Sequence, residues 1–490
     1  MLPWKNIIQL EKDSSVPLFL QISNSIIQQI KHGIIRPGTK IPGTRILAEA
    51  VGMNRQTIVK AYDELYSQGW IYSKQSKGTF VSEKLPEIKA SRFTEKDEEE
   101  KRNCCTGFNF RINSMIHEPA VPNRHIPGFH DGPDTRLIPA ALISRTYKSV
   151  MSRKSNHPLF SYVEVEGRPA LRKAISNHLN ETAGLQTCED HILVTRGTQM
   201  GLYLLSQVLI EKGDTVISSY LSYRYADLLF EHAGAKLLRV NVDEEGLDVD
   251  EIEKICKRKK IRAIYVTPHH HYPTTVTLSA ERRMKLLQLA EQFKFIIIED
   301  DYDYDYHFDS SPILPLASAD RKAMVVYIGS FSKTLSPAMR TGYISAPANL
   351  IKELSKLRQI IDGQGDPITE QVLAELINEG ELRRHIKKTL KIYHERRDFV
   401  CGMLKELLSD VIEFKIPDGG LSIWAKFDRK IKLPEVSDAL FKKGFILPKG
   451  LLHNIGAGKK LNSTRMGFGF MNTKESAKAI HLMQDIIKKI

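Results

Sequence analysis

The sequence predicts two unlike folded units in one chain: a small α+β head of short helices and a β-hairpin, and a large α/β domain on a largely parallel sheet. Three observations predict this. The chain has 490 residues, more than one ordinary core holds, so two or three domains are expected. Residues 1–82 carry short helical patterns and then a hairpin, whereas residues 123–490 alternate apolar strand-like runs with helical patterns, as helices covering a parallel sheet require. Residues 83–122 are polar, include the run Glu95-Lys-Asp-Glu-Glu-Glu-Lys-Arg102 and lack the apolar periodicity of a packed element, so they read as a linker.

Composition narrows the function classes. About 42% of residues are hydrophobic and 26% charged, the balance of a globular protein. No apolar run reaches the roughly 18 residues a membrane span needs, and Met1-Leu2-Pro3-Trp4-Lys5 lacks the layout of a signal peptide, so no membrane partner is expected. The five cysteines, Cys104, Cys105, Cys188, Cys256 and Cys401, are scattered and odd in number, which reads as reduced thiols in a cytoplasm. A formal net charge of +13 suits contact with a polyanion, because each neutralised phosphate releases counterions.

In the head, Leu18, Ile22, Ile26 and Ile30 recur at helical spacing, Gly33 ends that helix, and Pro37-Gly38 forms a turn. Thr44 to Val51 is a short second helix with Leu47, Ala48 and Val51 inward. Gly52-Met53-Asn54 is a tight turn in which Asn54 is placed to cap a third helix, whose inward face is Ile58, Ala61, Tyr62 and Leu65. The start of that third helix turns Arg55, Gln56, Thr57 and Lys60 outward. Trp70-Ile71-Tyr72, a polar tip and Thr79-Phe80-Val81 then make a β-hairpin. Two short helices joined by a glycine turn, the second polar at its start, place side chains against base edges. Arg55 and Gln56 suit bidentate contacts to guanine and adenine. Arg45, Lys60 and Lys77, with Gly78 beside the last, suit phosphates. A small helical domain with solvated charges is the plain alternative.

In the large domain, Met324 to Ile328 reads as a buried strand running into Gly-Ser-Phe-Ser-Lys-Thr, with Arg340 further on. A single lysine, Lys333, among Ser330, Ser332 and Arg340 offers an amine for an imine and a cradle for a phosphate dianion. Phe295-Ile-Ile-Ile-Glu-Asp-Asp-Tyr302 is an apolar strand ending in acids, where α/β sheets place ligand contacts. Asp300 there can face a protonated pyridine nitrogen, and Tyr302 a phenolic oxygen. Gly197, Thr198 and Gln199 open a helix whose first N–H groups suit a phosphate. Thr267-Pro-His-His-His-Tyr-Pro-Thr274 suggests metal at first sight, but adjacent residues of an extended segment face opposite ways, so no metal site is expected and His270 is read as a contact beside the cofactor ring.

The head motifs Gly38-Thr-Lys-Ile-Pro-Gly-Thr-Arg-Ile-Leu-Ala, Asn54-Arg-Gln-Thr-Ile-Val-Lys-Ala-Tyr and Lys77-Gly-Thr-Phe-Val resemble the winged helix-turn-helix of the GntR family, with Gly43 where that family usually has a capping serine. The order Phe160-Ser-Tyr, Glu166-Gly-Arg-Pro-Ala-Leu-Arg172, Gly197-Thr-Gln, Tyr223, Thr267-Pro-His-His, Glu299-Asp-Asp-Tyr and Ser330-Phe-Ser-Lys resembles fold-type I aminotransferases, which bind pyridoxal 5′-phosphate (PLP). Joined in one chain they resemble the MocR/GabR/PdxR regulators. The implied fold is an α+β winged helix-turn-helix head plus a large α/β fold-type I PLP-dependent aminotransferase-like domain. The resemblance implies Lys333 as the Schiff-base lysine, Asp300 at the pyridine nitrogen, Tyr302 and His270 at the ring oxygen, Tyr223 on the ring face, and Ser330, Ser332, Arg340 and Gly197–Gln199 at the phosphate. It also places Arg465, in Ser463-Thr-Arg-Met-Gly-Phe, where aminotransferases grip a substrate carboxylate.

Further implications are double-stranded promoter DNA as partner, a head-to-tail homodimer, and an effector that is PLP alone or with an amino compound. A regulator, of vitamin B6 or amino-acid metabolism genes, is expected rather than an enzyme, although the residues for a transaminase half-reaction are present; a working aminotransferase with an accessory DNA head is the alternative. Thr275, Ser218-Ser-Tyr-Leu221 and Tyr225 depart from the family pattern on the effector side, which leaves γ-aminobutyrate, taurine and other amino acids open beside PLP.

Overall fold

Apolar residues at helical spacing build the head around one core. In the computed structural model, α1 (Leu18–Lys31) buries Ile22, Ile26, Ile27 and Ile30. A short strand β1 (Lys40–Ile41) precedes α2 (Thr44–Val51) and α3 (Arg55–Ser67). The hairpin is β2 (Ile71–Lys74) and β3 (Gly78–Val81). Ile22, Ile26, Leu47, Ile58 and Leu65 are fully buried together. Gly43 caps α2 without a side-chain bond, and α2 ends on Gly52 at φ +69°, a backbone region that favours glycine. The Asn54 side chain accepts the Gln56 N–H at 2.8 Å and so fixes the start of α3. The sequence reading had no β1; this strand pairs antiparallel with β3, giving a three-stranded sheet in the order β1-β3-β2.

The structure describes residues 4–8, 10, 16–84, 106, 108–110, 126–308, 313–450 and 461–489. Most of the stretch read as a linker, with its charge run and Cys104-Cys105, lies outside them. The chain divides into two units, Met1–Asn113 and Ser114–Ile490. Among the described residues no helix is long and apolar enough to cross a membrane.

The second unit begins with α4 (Ala140–Ser152) and α5 (Pro169–Ala183). Then β4 (Ile192–Thr195), α6 (Thr198–Leu209), β5 (Thr215–Ser219), α7 (Arg224–His232) and β6 (Lys236–Val240) alternate. A two-stranded ribbon, β7 (Val242–Asp243) and β8 (Gly246–Leu247), leads to α8 (Val249–Cys256), β9 (Ala263–Val266), α9 (Ala280–Phe293), β10 (Ile296–Asp301), β11 (Val325–Ser330) and β12 (Gly342–Ser345). Seven of these strands form one sheet in the order β4-β12-β11-β10-β9-β5-β6. It is parallel from β11 to β6, and β12 runs antiparallel to both neighbours. Both faces are covered. Ile298 and Val326 pack with Leu205 and Phe230, while Ile297 and Val325 pack with Leu286 and Phe295. That double burial is why these strands read as continuous apolar runs.

After α10 (Ala348–Ile361), α11 (Pro367–Asn378) and the long α12 (Glu381–Leu408), the chain forms a second, antiparallel sheet. It comprises β13 (Ile412–Glu413), β14 (Ser422–Phe427) and β15 (Ser463–Gly467), with α13 (Leu433–Lys442) and α14 (Thr473–Ile487). Ile423, Met466, Leu404, Ile480 and Phe129 share its core.

Because Ile58 is fully buried in a core confined to the head, Ile58→Ala is expected to cost about 2–5 kcal/mol there. Hydrogen exchange should quicken over residues 18–81 and stay unchanged over 126–489; equal quickening in both units would show that the head core is not independent.

Candidate functional site

The head presents its polar groups on one helix start and one hairpin. Arg55 and Gln56 open α3 and are exposed; Thr57 is half-buried beside them, and Lys60 is exposed one turn on. Arg45 is exposed on α2, and Lys77 and Gly78 at the tip of the hairpin. The inward side of α3 is tied down, since Tyr62 donates its hydroxyl to the Pro42 carbonyl at 2.7 Å. A rigid helix thus holds donors of base-reading and phosphate-reading type toward solvent.

In the second unit, the carboxyl ends of the parallel strands open into a cavity of about 570 Å³, the size of small-molecule sites. Lys333, Asp300, Tyr302, Tyr223, Thr198, Gln199, Ser330, Ser332 and Arg340 all line it. They arrive from four directions: the end of β10, the loop after β11, the start of α6 and the start of α7. Gly197, at φ +78°, caps α6 without a side chain. A Cβ there would stand 3.1 Å from Arg340 Nη2, so the glycine lets the guanidinium lie against the helix start. Arg340 also donates to the Arg196 carbonyl at 3.0 Å. Helix N–H groups, two serine hydroxyls and this cation form a cup for a dianion.

At the other end, Asp300 is buried. Its Oδ2 accepts the Tyr265 hydroxyl at 2.8 Å, while its buried Oδ1 has no partner. Burial, aided by the charges of Asp301 and Asp303 and opposed by the Tyr265 bond, pushes its carboxyl up to about 7. A buried acid with one oxygen unmet calls for a cationic N–H donor, which a protonated pyridine supplies. Between cup and acid, the Tyr223 ring lies 5.6 Å from Tyr225 and 5.3 Å from Tyr272 by centroids. The Gln199 amide donates weakly to the Tyr223 hydroxyl, at 3.4 Å. Lys333 Nζ donates to the Asp131 carbonyl oxygen at 2.9 Å. Dianion cup, lysine amine and unpaired acid form a donor set that fits PLP.

Two expected contacts fall elsewhere. His270 is buried outside the cavity lining, with Nδ1 2.7 Å from Asp303 Oδ1. Tyr302 does line the cavity, but its hydroxyl donates to the His270 carbonyl at 2.8 Å. Its neighbours diverge: His269 pairs with Asp301 at 3.0 Å and His271 with Ser219 at 2.9 Å. Arg465 is also buried outside the lining. Its Nε lies 3.3 Å from Asp131 Oδ1, Nη1 donates to the Pro273 carbonyl at 3.4 Å, and the guanidinium lies 5.1 and 5.7 Å from the Tyr272 and Tyr302 rings. The carboxylate it faces is therefore the protein's own. Asp131, Tyr265, Tyr272 and Phe470 line the cavity without having been singled out from sequence. The turn-like His130-Asp-Gly-Pro-Asp134 was the one local signal for the first of them.

Known proteins carry the same two parts. The family model of aminotransferase class I and II matches residues 132–457, and that of bacterial regulatory proteins of the gntR family matches residues 18–81. The chain is 30% identical to the uncharacterized HTH-type transcriptional regulator YdfD of Bacillus subtilis (strain 168), over 98% of each chain. It is 28% identical to the probable rhizopine catabolism regulatory protein MocR of Rhizobium meliloti, over 86% of this chain and 84% of that one. An archaeal alanine:glyoxylate aminotransferase superposes with a TM-score of 0.69 at 28% identity, covering 74% of this chain and 91% of the other. The chain belongs to the MocR-type HTH transcriptional regulators, in which a DNA-binding GntR head is fused to an aminotransferase class I and II domain.

The raised carboxyl of Asp300 has a stability signature. Its folded value, about 7, exceeds its ordinary 3.8, so between those values the folded state binds more protons and loses stability as pH rises. In protein free of PLP, Asp300→Asn should melt above wild type at about pH 8, with the margin shrinking toward about pH 5. Adding PLP should raise the melting temperature of the variant less than that of wild type. A margin that does not change with pH would show that Asp300 titrates normally.

Proposed function

We propose that this regulator binds promoter DNA through α3 and the β2–β3 wing, and that PLP held by the second unit, alone or joined to an amino compound, sets the affinity of that binding. The observation that carries the reading is the convergence of Lys333, the unpaired oxygen of Asp300 and the Thr198–Ser330–Ser332–Arg340 cup on one cavity, in a chain whose other unit turns Arg55 and Gln56 to solvent. When bound, PLP supplies an aldehyde for amines and a ring able to withdraw electrons. The protein's own residues then divide the work. Lys333 offers the amine, Asp300 holds a proton at the ring nitrogen, the cup orients the phosphate and the tyrosines cover the ring.

The same reading takes the protein as a cytoplasmic homodimer, its two heads on two half-sites as dimeric readers are arranged. The exposed apolar side chains Phe160, Tyr162, Ile360 and Ile361 of the second unit support a partner subunit. Genes of vitamin B6 or amino-acid metabolism are the targets this ligand chemistry suits.

Gel shifts on the protein's own promoter, with no PLP, with PLP, and with PLP plus amino compounds, test the proposal: affinity should change with ligand, and constant affinity would refute it. Arg55→Ala should lose about 1–3 kcal/mol of specific binding, and unchanged binding would remove α3 as the reader. Lys333→Ala should lose the near-visible absorbance of lysine-bound PLP while keeping its far-ultraviolet circular dichroism; a retained band would assign the cofactor to another lysine.

A further inference from the structure

A carboxylate already sits at the cationic end of the cavity. Asp131 Oδ1 lies 3.3 Å from Arg465 Nε, accepts the Ser422 hydroxyl at 3.1 Å and stands 3.3 Å from Lys333 Nζ. The backbone builds this position. The Phe129 N–H donates to the Ile446 carbonyl at 2.8 Å, and the Gly467 N–H donates to the Phe129 carbonyl at 3.1 Å. The segment lies so close to the end of β15 that a Cβ on Gly467 would come within 1.7 Å of the His130 carbonyl oxygen. A Cβ on Gly469 would lie 2.8 Å from that of Gly132. Arg465 is on the same strand, two residues before Gly467, so the element that carries the guanidinium also seats the carboxylate against it.

Arg465 is shut off from solvent, and its Nε is ion-paired with Asp131 without a hydrogen bond. The Tyr272 and Tyr302 rings wall its guanidinium, the Pro273 carbonyl takes Nη1, and the side chain is 3% exposed. A second carboxylate brought to this place would meet Asp131 at short range in a poorly solvated site, where like charges repel strongly. Asp131 keeps 29% of its side chain open, and the cavity it lines also has Tyr223, Tyr272 and Phe470 as walls. An acidic group among aromatic rings suits an amine with an apolar body.

We propose that Asp131 is a resident occupant of the carboxylate seat of Arg465, so that the effector side of this cavity takes primary amines lacking a carboxylate on the amine-bearing carbon and rejects α-amino acids. The inference rests on the reading that PLP in this cavity meets an amino compound.

The test uses the full-length protein loaded with PLP, titrated by calorimetry and by cofactor absorbance with matched pairs: ethylamine against alanine, and phenethylamine against phenylalanine. Wild type should bind at least one amine ~10-fold or more tighter than its amino acid. Asp131→Asn, which removes the charge and keeps the shape, should erase or invert that preference, and the amino acid should raise the melting temperature of this variant and not of wild type. Asp131→Glu, which keeps the charge, should retain the preference and guards against a variant that merely folds poorly. Equal affinity within each pair for wild type, or an unchanged ratio in Asp131→Asn, overturns the proposal. Binding of PLP with no response to any amine also overturns it and leaves PLP as the sole ligand, whereas failure to bind PLP at all removes the underlying reading instead.

Discussion

A carboxylate buried at the end of a central strand, with one oxygen satisfied and the other bare, is the constraint around which the large unit is arranged. Asp300 is the penultimate residue of β10, which lies in mid-sheet between β9 and β11. Its satisfied oxygen is held by Tyr265 from β9, so the acid is fixed by the sheet itself and not by a loop. Burying an acid without a counter-ion is costly, and the molecule meets that cost with its carboxyl pushed up to about 7. A cationic ring nitrogen relieves the penalty, which makes ligand binding and local stability parts of one free energy. The parallel strands bring the lysine loop, the start of α6 and this acid to the same edge, as α/β sheets do with their ligands.

A second buried charge is treated in the opposite way. Arg465 is as deeply buried as Asp300, yet it has its counter-ion, supplied from a segment more than three hundred residues earlier in the chain and seated by glycines at the end of β15. Asp131 is held well below the usual carboxylate range by Arg465 and Lys333, against the partial desolvation of its carboxylate. Removing one partner of such a pair leaves an uncompensated buried charge, which costs far more than the pair contributes. One part of the cavity therefore has an unmet demand for a cation, while beside it Arg465 already has a counter-ion. That asymmetry, more than the cavity volume, decides which ligands it takes.

The parts legible in the sequence are those set by local rules. Helices α1, α2 and α3 follow from apolar spacing and from Asn54, whose side-chain cap fixes where α3 begins. β1 was not legible, because two residues carry no period and their pairing partner lies about forty positions on. Lys333, Asp300 and the Gly197 turn could be read because each stands at a strand end, where chemistry gathers whatever the partners are. Asp131 and Phe470 could not, since their place in the cavity depends on how distant segments meet. His270 shows how a local rule can half succeed. Alternation separated the three histidines, but only the fold brings Asp303 to His270, which does not line the cavity. Arg465 was found by its motif, while the partner that occupies it has none.

How a ligand in one unit could alter DNA binding by the other is limited by the same contacts. The head has its own core, in which Ile22, Leu47, Ile58 and Leu65 are fully buried among head residues alone, and the start of α3 is capped within the head. Its reading face therefore needs no ligand to form. A ligand shifts DNA affinity only through differential affinity for two arrangements of the protein, and a preformed head does not provide the two. On the proposed reading of a dimer on two half-sites, the difference would be one of spacing between heads. Tight PLP binding alone is then no measure of regulation, because a ligand held equally well in both arrangements shifts nothing. The regulatory ligand is whichever state of the cavity distinguishes the arrangements, and the charge already placed on Arg465 restricts the amino compounds able to create that state.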